Sequence, residues 1–148
     1  MTDIHVHVPV PPVAKARPRV TMRGGYARAY TPKKSADYEA AVAAACPDVD
    51  PLEGPLSMHI NLYLPIPASW SKQKTIDAAC GKILPTSRPD VDNYAKAVLD
   101  ALNGIAYADD SQVVDLTVVK QYARKDTGAR IVIKPFCSSQ YKIAKRLK

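Results

Sequence analysis

The stretch Leu56-Ser-Met-His-Ile-Asn-Leu-Tyr-Leu64 decides the fold, because its apolar side chains recur at every second position. Leu56, Met58, Ile60, Leu62 and Leu64 would line one face of a strand, with more polar neighbours on the other. Pro65 and Pro67 close it, since neither can donate to a strand ladder. Downstream the period changes. Val91, Ala95, Val98 and Leu102 form a stripe at helical spacing, flanked by Tyr94, Leu99 and Ala101. Asp90 or Asp92 can cap the start of this helix, and Asn103-Gly104 stops it. Residues 70–79 read as a short helix, followed by a loop through Gly81, Pro85 and Pro89. Beyond the long helix, Val113–Tyr122 reads as a strand and Ala129–Phe136 as its antiparallel partner across Asp126-Thr127-Gly128.

Upstream, Ile4, Val6 and Val8 alternate with His5 and His7 until the prolines at 9–12 end the strand. Arg19–Tyr30 reads as a hairpin or ordered loop turning at Gly24-Gly25. From about Lys33 to Cys46, Tyr38, Ala41, Val42 and Ala45 keep helical spacing, and Pro47 ends that helix. This order predicts an α+β fold, one domain over residues 1–136 with helices packed on a mixed sheet, followed by a basic tail at 137–148. The full length of 148 residues fits that single domain.

Charge points to a polyanionic partner, a nucleic acid or an anionic membrane surface. Lys and Arg number 21 against 14 Asp and Glu, a net +7, and the excess is concentrated. Lys15, Arg17, Arg19, Arg23, Arg28, Lys33 and Lys34 follow one another with no acid between, interleaved with Tyr26 and Tyr30. Together with Arg88 they are the candidate DNA-binding residues, the bases for phosphates and the tyrosines for sugars or an unstacked base. The tail adds Lys142, Lys145, Arg146 and Lys148. No apolar run approaches the length of a membrane span, and the N-terminal MTDIHVHVPVPP lacks a secretory pattern. Cys46, Cys80 and Cys137 are odd in number and widely spaced, which argues against a disulfide framework and for a cytoplasmic setting.

Against that basic background, residues 90–115 hold six acids and only Lys96 as a base. Direct contact with a polyanion is awkward for such a knot, and a divalent cation bridging carboxylates to phosphate oxygens removes the difficulty. Asp90 and Asp92 sit two apart at a loop-to-helix junction. Lys96 shares the helix face with Asp92. If the strand beginning near Val113 lies beside the helix N-terminus, Asp109 or Asp110 joins them. Three carboxylates and a lysine would hold Mg²⁺ for phosphoryl transfer, Lys96 neutralising charge on the phosphate or the leaving oxygen. The alternative on spacing alone is structural: Asp90 a cap, Asp92 paired with Lys96, Asp109-Asp110 a polar turn.

Arg88-Pro-Asp-Val-Asp-Asn-Tyr-Ala-Lys-Ala-Val-Leu-Asp-Ala-Leu102, then Asp109-Asp-Ser-Gln-Val-Val114 and Val118-Val-Lys120, resembles the RusA family of Holliday-junction resolvases. The resemblance runs from about Ile4 to Pro135. It implies a homodimeric, Mg²⁺-dependent endonuclease, with Mn²⁺ as a substitute ion, that acts on four-way DNA junctions. It also implies paired symmetric nicks leaving 5′-phosphate and 3′-hydroxyl ends. The metal ligands it implies are Asp90, Asp92 and Asp110, and the catalytic lysine is Lys96; Asp115 and Lys120 match its following strand as supporting residues. Two other readings remain beside it. One is a branched-DNA-binding protein without catalysis, and the other is a Mg²⁺ nuclease for flaps or RNA. His5 and His7 lack companion ligands for a metal, and Trp70 reads as a buried anchor before a junction-opening wedge.

Overall fold

The computed structural model describes residues 3–137 and shows a single α+β domain built on a mixed sheet with three helices. In chain order the elements are β1 (Ile4–Val8), β2 (Arg19–Arg23), β3 (Tyr26–Tyr30), α1 (Lys33–Ala45), β4 (Leu56–Pro65), α2 (Lys72–Ala79), α3 (Val91–Leu102), β5 (Val113–Ala123) and β6 (Gly128–Pro135). A short 3₁₀ turn, Asp110–Gln112, leads into β5. The tail bases from Lys142 onward lie outside the described residues.

The main sheet runs β1-β6-β4-β5, and the alternation read in β4 is the alternation that builds its core. Leu56, Met58, Ile60 and Leu62 are fully buried, beside Ile4, Val6 and Val8 of β1 and Ala129, Ile131 and Ile133 of β6. Helices α1 and α3 cover this face with Tyr38, Val42, Ala95, Val98 and Leu102. On the opposite face His5, His7, His59, Arg130 and Lys134 are exposed. Val91, expected on the helix stripe, is instead 41% exposed, because the whole first turn of α3 (residues 90–93) lies open to solvent.

One pairing differs from the sequence expectation. β5 and β6 run antiparallel but are not neighbours: β4 lies between them, parallel to β5 and antiparallel to β6. A short loop suggested a hairpin, yet crossing one intervening strand needs only about 10 Å, which a few extended residues span. The β4–β5 pair is parallel, so it needs a long crossover, and the segment holding α2 and α3 supplies it. α3 is therefore fixed by topology on the helical face beside β5.

Two glycine positions matter to this frame. Gly24 and Gly25, at φ 63° and 81°, make the tight turn between β2 and β3 that the sequence reading placed there. Gly128, at φ 155°, opens β6 where it passes β1, and a Cβ there would sit 2.1 Å from the Val8 carbonyl oxygen. Backbone cannot yield to that clash without disturbing the β1–β6 ladder. Gly128→Ala should therefore lower stability by about 3 kcal/mol or more, read as a drop in the urea midpoint without a change in slope.

Candidate active site and DNA-facing surface

The first turn of α3 presents two carboxylates that the fold leaves uncommitted. Asp90 is the N-cap residue, yet its side chain makes no capping hydrogen bond. Neither Asp90 nor Asp92 has a hydrogen bond or ion pair through its carboxylate among the described residues. The backbone beneath them is held firmly all the same. Lys120 of β5 donates from Nζ to the carbonyl oxygens of Ser87 and Pro89, at 3.1 and 3.0 Å, bracketing the Arg88–Pro89 bond just before Asp90. Lys120 thus supports the turn through neutral oxygens. Asp115 lies on the opposite face of the sheet, where it accepts a hydrogen bond from Ser57 Oγ at 2.7 Å.

Lys96 lies one turn further along α3 and does not pair with Asp92. Its Nζ reaches Asp100 Oδ1 at 3.3 Å, and its side chain remains 58% exposed. Asp100 also receives Lys15 at 3.2 Å, and Lys15 in turn pairs with Glu39 of α1. The Lys15 backbone N–H donates to the Asn93 carbonyl at 2.9 Å. Burial alone would lower the Lys15 pKa, but the hydrogen bonds and charges of Glu39 and Asp100 together outweigh it and raise the value. Lys15, expected on DNA, is therefore spent inside the protein, tying the strap that follows β1 (residues 9–18) to α1 and α3.

Asp109 and Asp110 have different employments. The Asp109 carboxylate caps the 3₁₀ turn and accepts from Ser111 Oγ. Gln112 completes the box, accepting from the Ala108 and Asp109 amides and donating to the carbonyls of Leu52 and Gly54. Asp110 is held only by its backbone, whose N–H donates to Asn103 Oδ1 at 2.9 Å, so its carboxylate is the uncommitted one of the two. Gln112 and Asn103 went unread as positioning residues. The D-x-x-Q spacing at 109–112 is the capping-box signal that could have found the first.

These three acids do not meet within one chain. Asp90 stands at the N-cap position of α3, while Asp110 is moored to Asn103, at the C-cap position of the other end. Twelve residues of helix separate the two caps, which puts them about 20 Å apart. The sheet gives the same measure: Pro89 is moored to Lys120, seven residues along β5 from Val113, about 23 Å by strand rise. Among the described residues no three His, Cys, Asp or Glu side chains are grouped to hold a metal, and His5 and His7 stand exposed. The sequence expectation that Asp110 joins Asp90 and Asp92 through the strand is thus corrected for a single chain. The helix runs antiparallel to β5, so the strand begins beside the wrong end of it.

The remaining bases form an outward surface. β2 and β3 pair only with each other, as a separate two-stranded ribbon. Its register puts Arg19, Thr21, Arg28, Tyr26 and Tyr30 on one face and Val20, Met22, Ala27 and Ala29 on the other. The side chain of Arg23 lies outside the described parts. Lys33 and Lys34 open α1, where cations oppose the helix dipole. Arg17, Arg19, Arg28, Lys33, Lys34 and Arg88 are exposed and have no ion pair among the described residues. Trp70 is an anchor: its ring meets Tyr122 edge-on at 5.3 Å, with Lys74 Nζ 4.0 Å above it.

Comparison with known proteins now bears on this arrangement. The family model of the endodeoxyribonuclease RusA matches residues 9–134. YqaN of Bacillus subtilis (strain 168), a protein described as uncharacterized, is 44% identical over 119 residues, covering 77% of this chain and 84% of YqaN. Among the described residues no helix is long and apolar enough to cross a membrane.

Under the basic strap, the Tyr38 hydroxyl is buried with no hydrogen-bond partner among the described residues. Burial, aided by the neighbouring Tyr94, pushes its pKa from 10 up to about 12. Above pH 10 the unfolded chain releases this proton while the folded protein keeps it, so stability falls as pH rises from 10 toward 12. Tyr38→Phe should blunt that fall in thermal melts and, by removing an orphaned hydroxyl, raise stability near neutral pH by about 1 kcal/mol.

Proposed function

Because the chain belongs to the RusA endodeoxyribonuclease family, we propose that it is a homodimeric, Mg²⁺-dependent nuclease that resolves four-way DNA junctions by paired symmetric nicks. The observation that carries this reading is the pair of uncommitted carboxylates on the exposed first turn of α3, with Lys96 one turn away. Hard oxygen donors of this kind suit Mg²⁺, but one chain offers only two of the three together. A second copy related by a two-fold axis can lay the Asp110 end of its α3 against the Asp90 end of the first. Two equivalent sites then arise, the number that paired cuts require.

In that arrangement Asp90 and Asp92 of one copy and Asp110 of the other are the ligands. A Mg²⁺ ion held by these residues would supply Lewis-acid activation of water and charge compensation at the phosphate, the chemistry that paired nicks with 5′-phosphate and 3′-hydroxyl ends require. Lys96 stabilises charge on the phosphate or leaving oxygen, its amine being loosely held and exposed. Lys120, Asn103 and Gln112 keep the ligand-bearing backbone in place. The cationic face of the β2–β3 ribbon, with Arg17, Lys33, Lys34 and Arg88, tracks the phosphates. A junction-binding protein without catalysis is the second reading, favoured only by the separation of Asp110 from Asp90 in one chain.

Subunit mixing tests the shared site. Asp90→Asn and Asp110→Asn should each abolish Mg²⁺-dependent nicking of a synthetic four-way junction while preserving its binding. A mixture of the two variants should regain nicking, since each heterodimer keeps one complete site, whereas either variant alone stays silent. Binding without cutting by the wild type would leave the second reading standing. The ribbon is tested by salt: replacing Arg19 and Arg28 with Ala should reduce the slope of log affinity against log salt by about 2, measured by anisotropy.

A further inference from the structure

Beside the acid-bearing turn the surface opens into a cleft of about 330 Å³. Pro11 of the strap and Pro65 and Pro67, at and just past the end of β4, present exposed rings at its walls. Tyr122 of β5 is half-buried beside them, and Pro12, Pro85 and Tyr94 line it from buried positions. Lys34 and Arg88 line it as well, both exposed and without an acid partner among the described residues. The cleft and the acids share one turn of chain. Arg88 precedes Asp90 by two residues, and the Tyr94 amide donates to the Asp90 carbonyl. Its lining is held in place before any ligand arrives: Tyr122 by Trp70, and the segment before Asp90 by Lys120.

Flat, rigid, largely apolar walls with cations beside them suit an aromatic ring attached to phosphates. The volume lies at the low end of ligand-binding clefts, enough for one planar ring system. Resting on the reading of Asp90 and Asp92 as the cutting site, we propose that this cleft receives a single nucleobase, unstacked from the junction next to the phosphate to be cut. The base lies against the Tyr122 ring and the exposed proline rings, while Lys34 and Arg88 contact the phosphates that flank it. Taking a base out of an intact duplex costs stacking and pairing energy, and that cost is least where the stack is already interrupted. The cleft is thus a device for choosing branch points over plain duplex, separate from the ligands that cut.

A binding cycle tests this without requiring cleavage. Affinity is measured in calcium for the wild type and Tyr122→Leu, on an intact four-way junction and on junctions with one abasic site walked through the nucleotides around the branch. Tyr122→Leu should weaken binding to the intact junction about tenfold or more. At one abasic position that loss should vanish, because no base remains to be held. Tyr122→Trp should bind the intact junction like the wild type, showing that a stacking face is what matters. An equal loss from Tyr122→Leu at every abasic position would overturn the proposal and leave Tyr122 a support for Trp70. Cutting by Asp90→Asn is read separately: retained nicking there removes Asp90 from the cutting site, while the binding cycle still decides the cleft.

Discussion

The rigidity of one helix governs everything proposed for this protein. α3 is anchored along its apolar face to the sheet, with Ala95, Val98 and Leu102 buried, and its two ends are moored by different partners. A helix of this length cannot fold its ends together, so the acids at its caps stay about 20 Å apart in any one copy. The sheet forces the same answer from another direction, since β5 runs past α3 with Lys120 at one end and the Asp110 turn at the other. A family of DNA-cutting enzymes to which the chain belongs needs a complete catalytic centre. The fold supplies two sets of uncommitted acids at a fixed spacing, which the proposed homodimer would bring together.

The cations divide by what opposes them. Lys15 is flanked by Glu39 and Asp100 and partly buried, so its charge is consumed in holding the strap to the helices. Removing such a tie would cost more than removing a surface pair, because the hydrogen bonds satisfy groups already withdrawn from water. The ribbon and the start of α1 show the reverse. Their bases face solvent with no ion pair among the described residues, and two lysines sit at a helix end where the dipole disfavours them. Such placement stabilises nothing in the isolated protein, and becomes favourable once an anion is alongside.

Most elements were legible in the sequence because their periodicities are local. The alternation in β4 and β1, the glycine pair in the ribbon and the stripe on α3 each needed only neighbouring residues. The β5–β6 pairing was misread because short loops signal hairpins, whereas a strand inserted between them arrives from far away in the chain. Position was harder still. Asp90, Asp92, Lys96 and Asp110 can be picked out as chemistry, but whether they meet depends on which way α3 runs against β5. No residue pattern encodes that direction by itself. Lys15 was grouped with the DNA-facing bases because Glu39 and Asp100 are remote in sequence. The role of Asn103 was hidden because its contact is to the backbone of a residue seven positions on, whereas the D-x-x-Q spacing at 109–112 did carry a signal for Gln112.

The way the acids are supported fits the role proposed for them. A protein that used Asp90, Asp92 and Asp110 for stability would pair them with bases or caps, as it does Asp100 with Lys15 and Asp109 with its own turn. Here the fixing is done by groups that leave the carboxylates untouched: a lysine on backbone carbonyls before Asp90, and an asparagine on the backbone N–H of Asp110. The backbone is held and the charge is left unneutralised. Oxygen donors kept in place yet unsatisfied gain from a cation what an ordinary ion pair would already have supplied. Lys96 fits the same logic, held by one exposed contact to Asp100 that it can release to a phosphate at little cost.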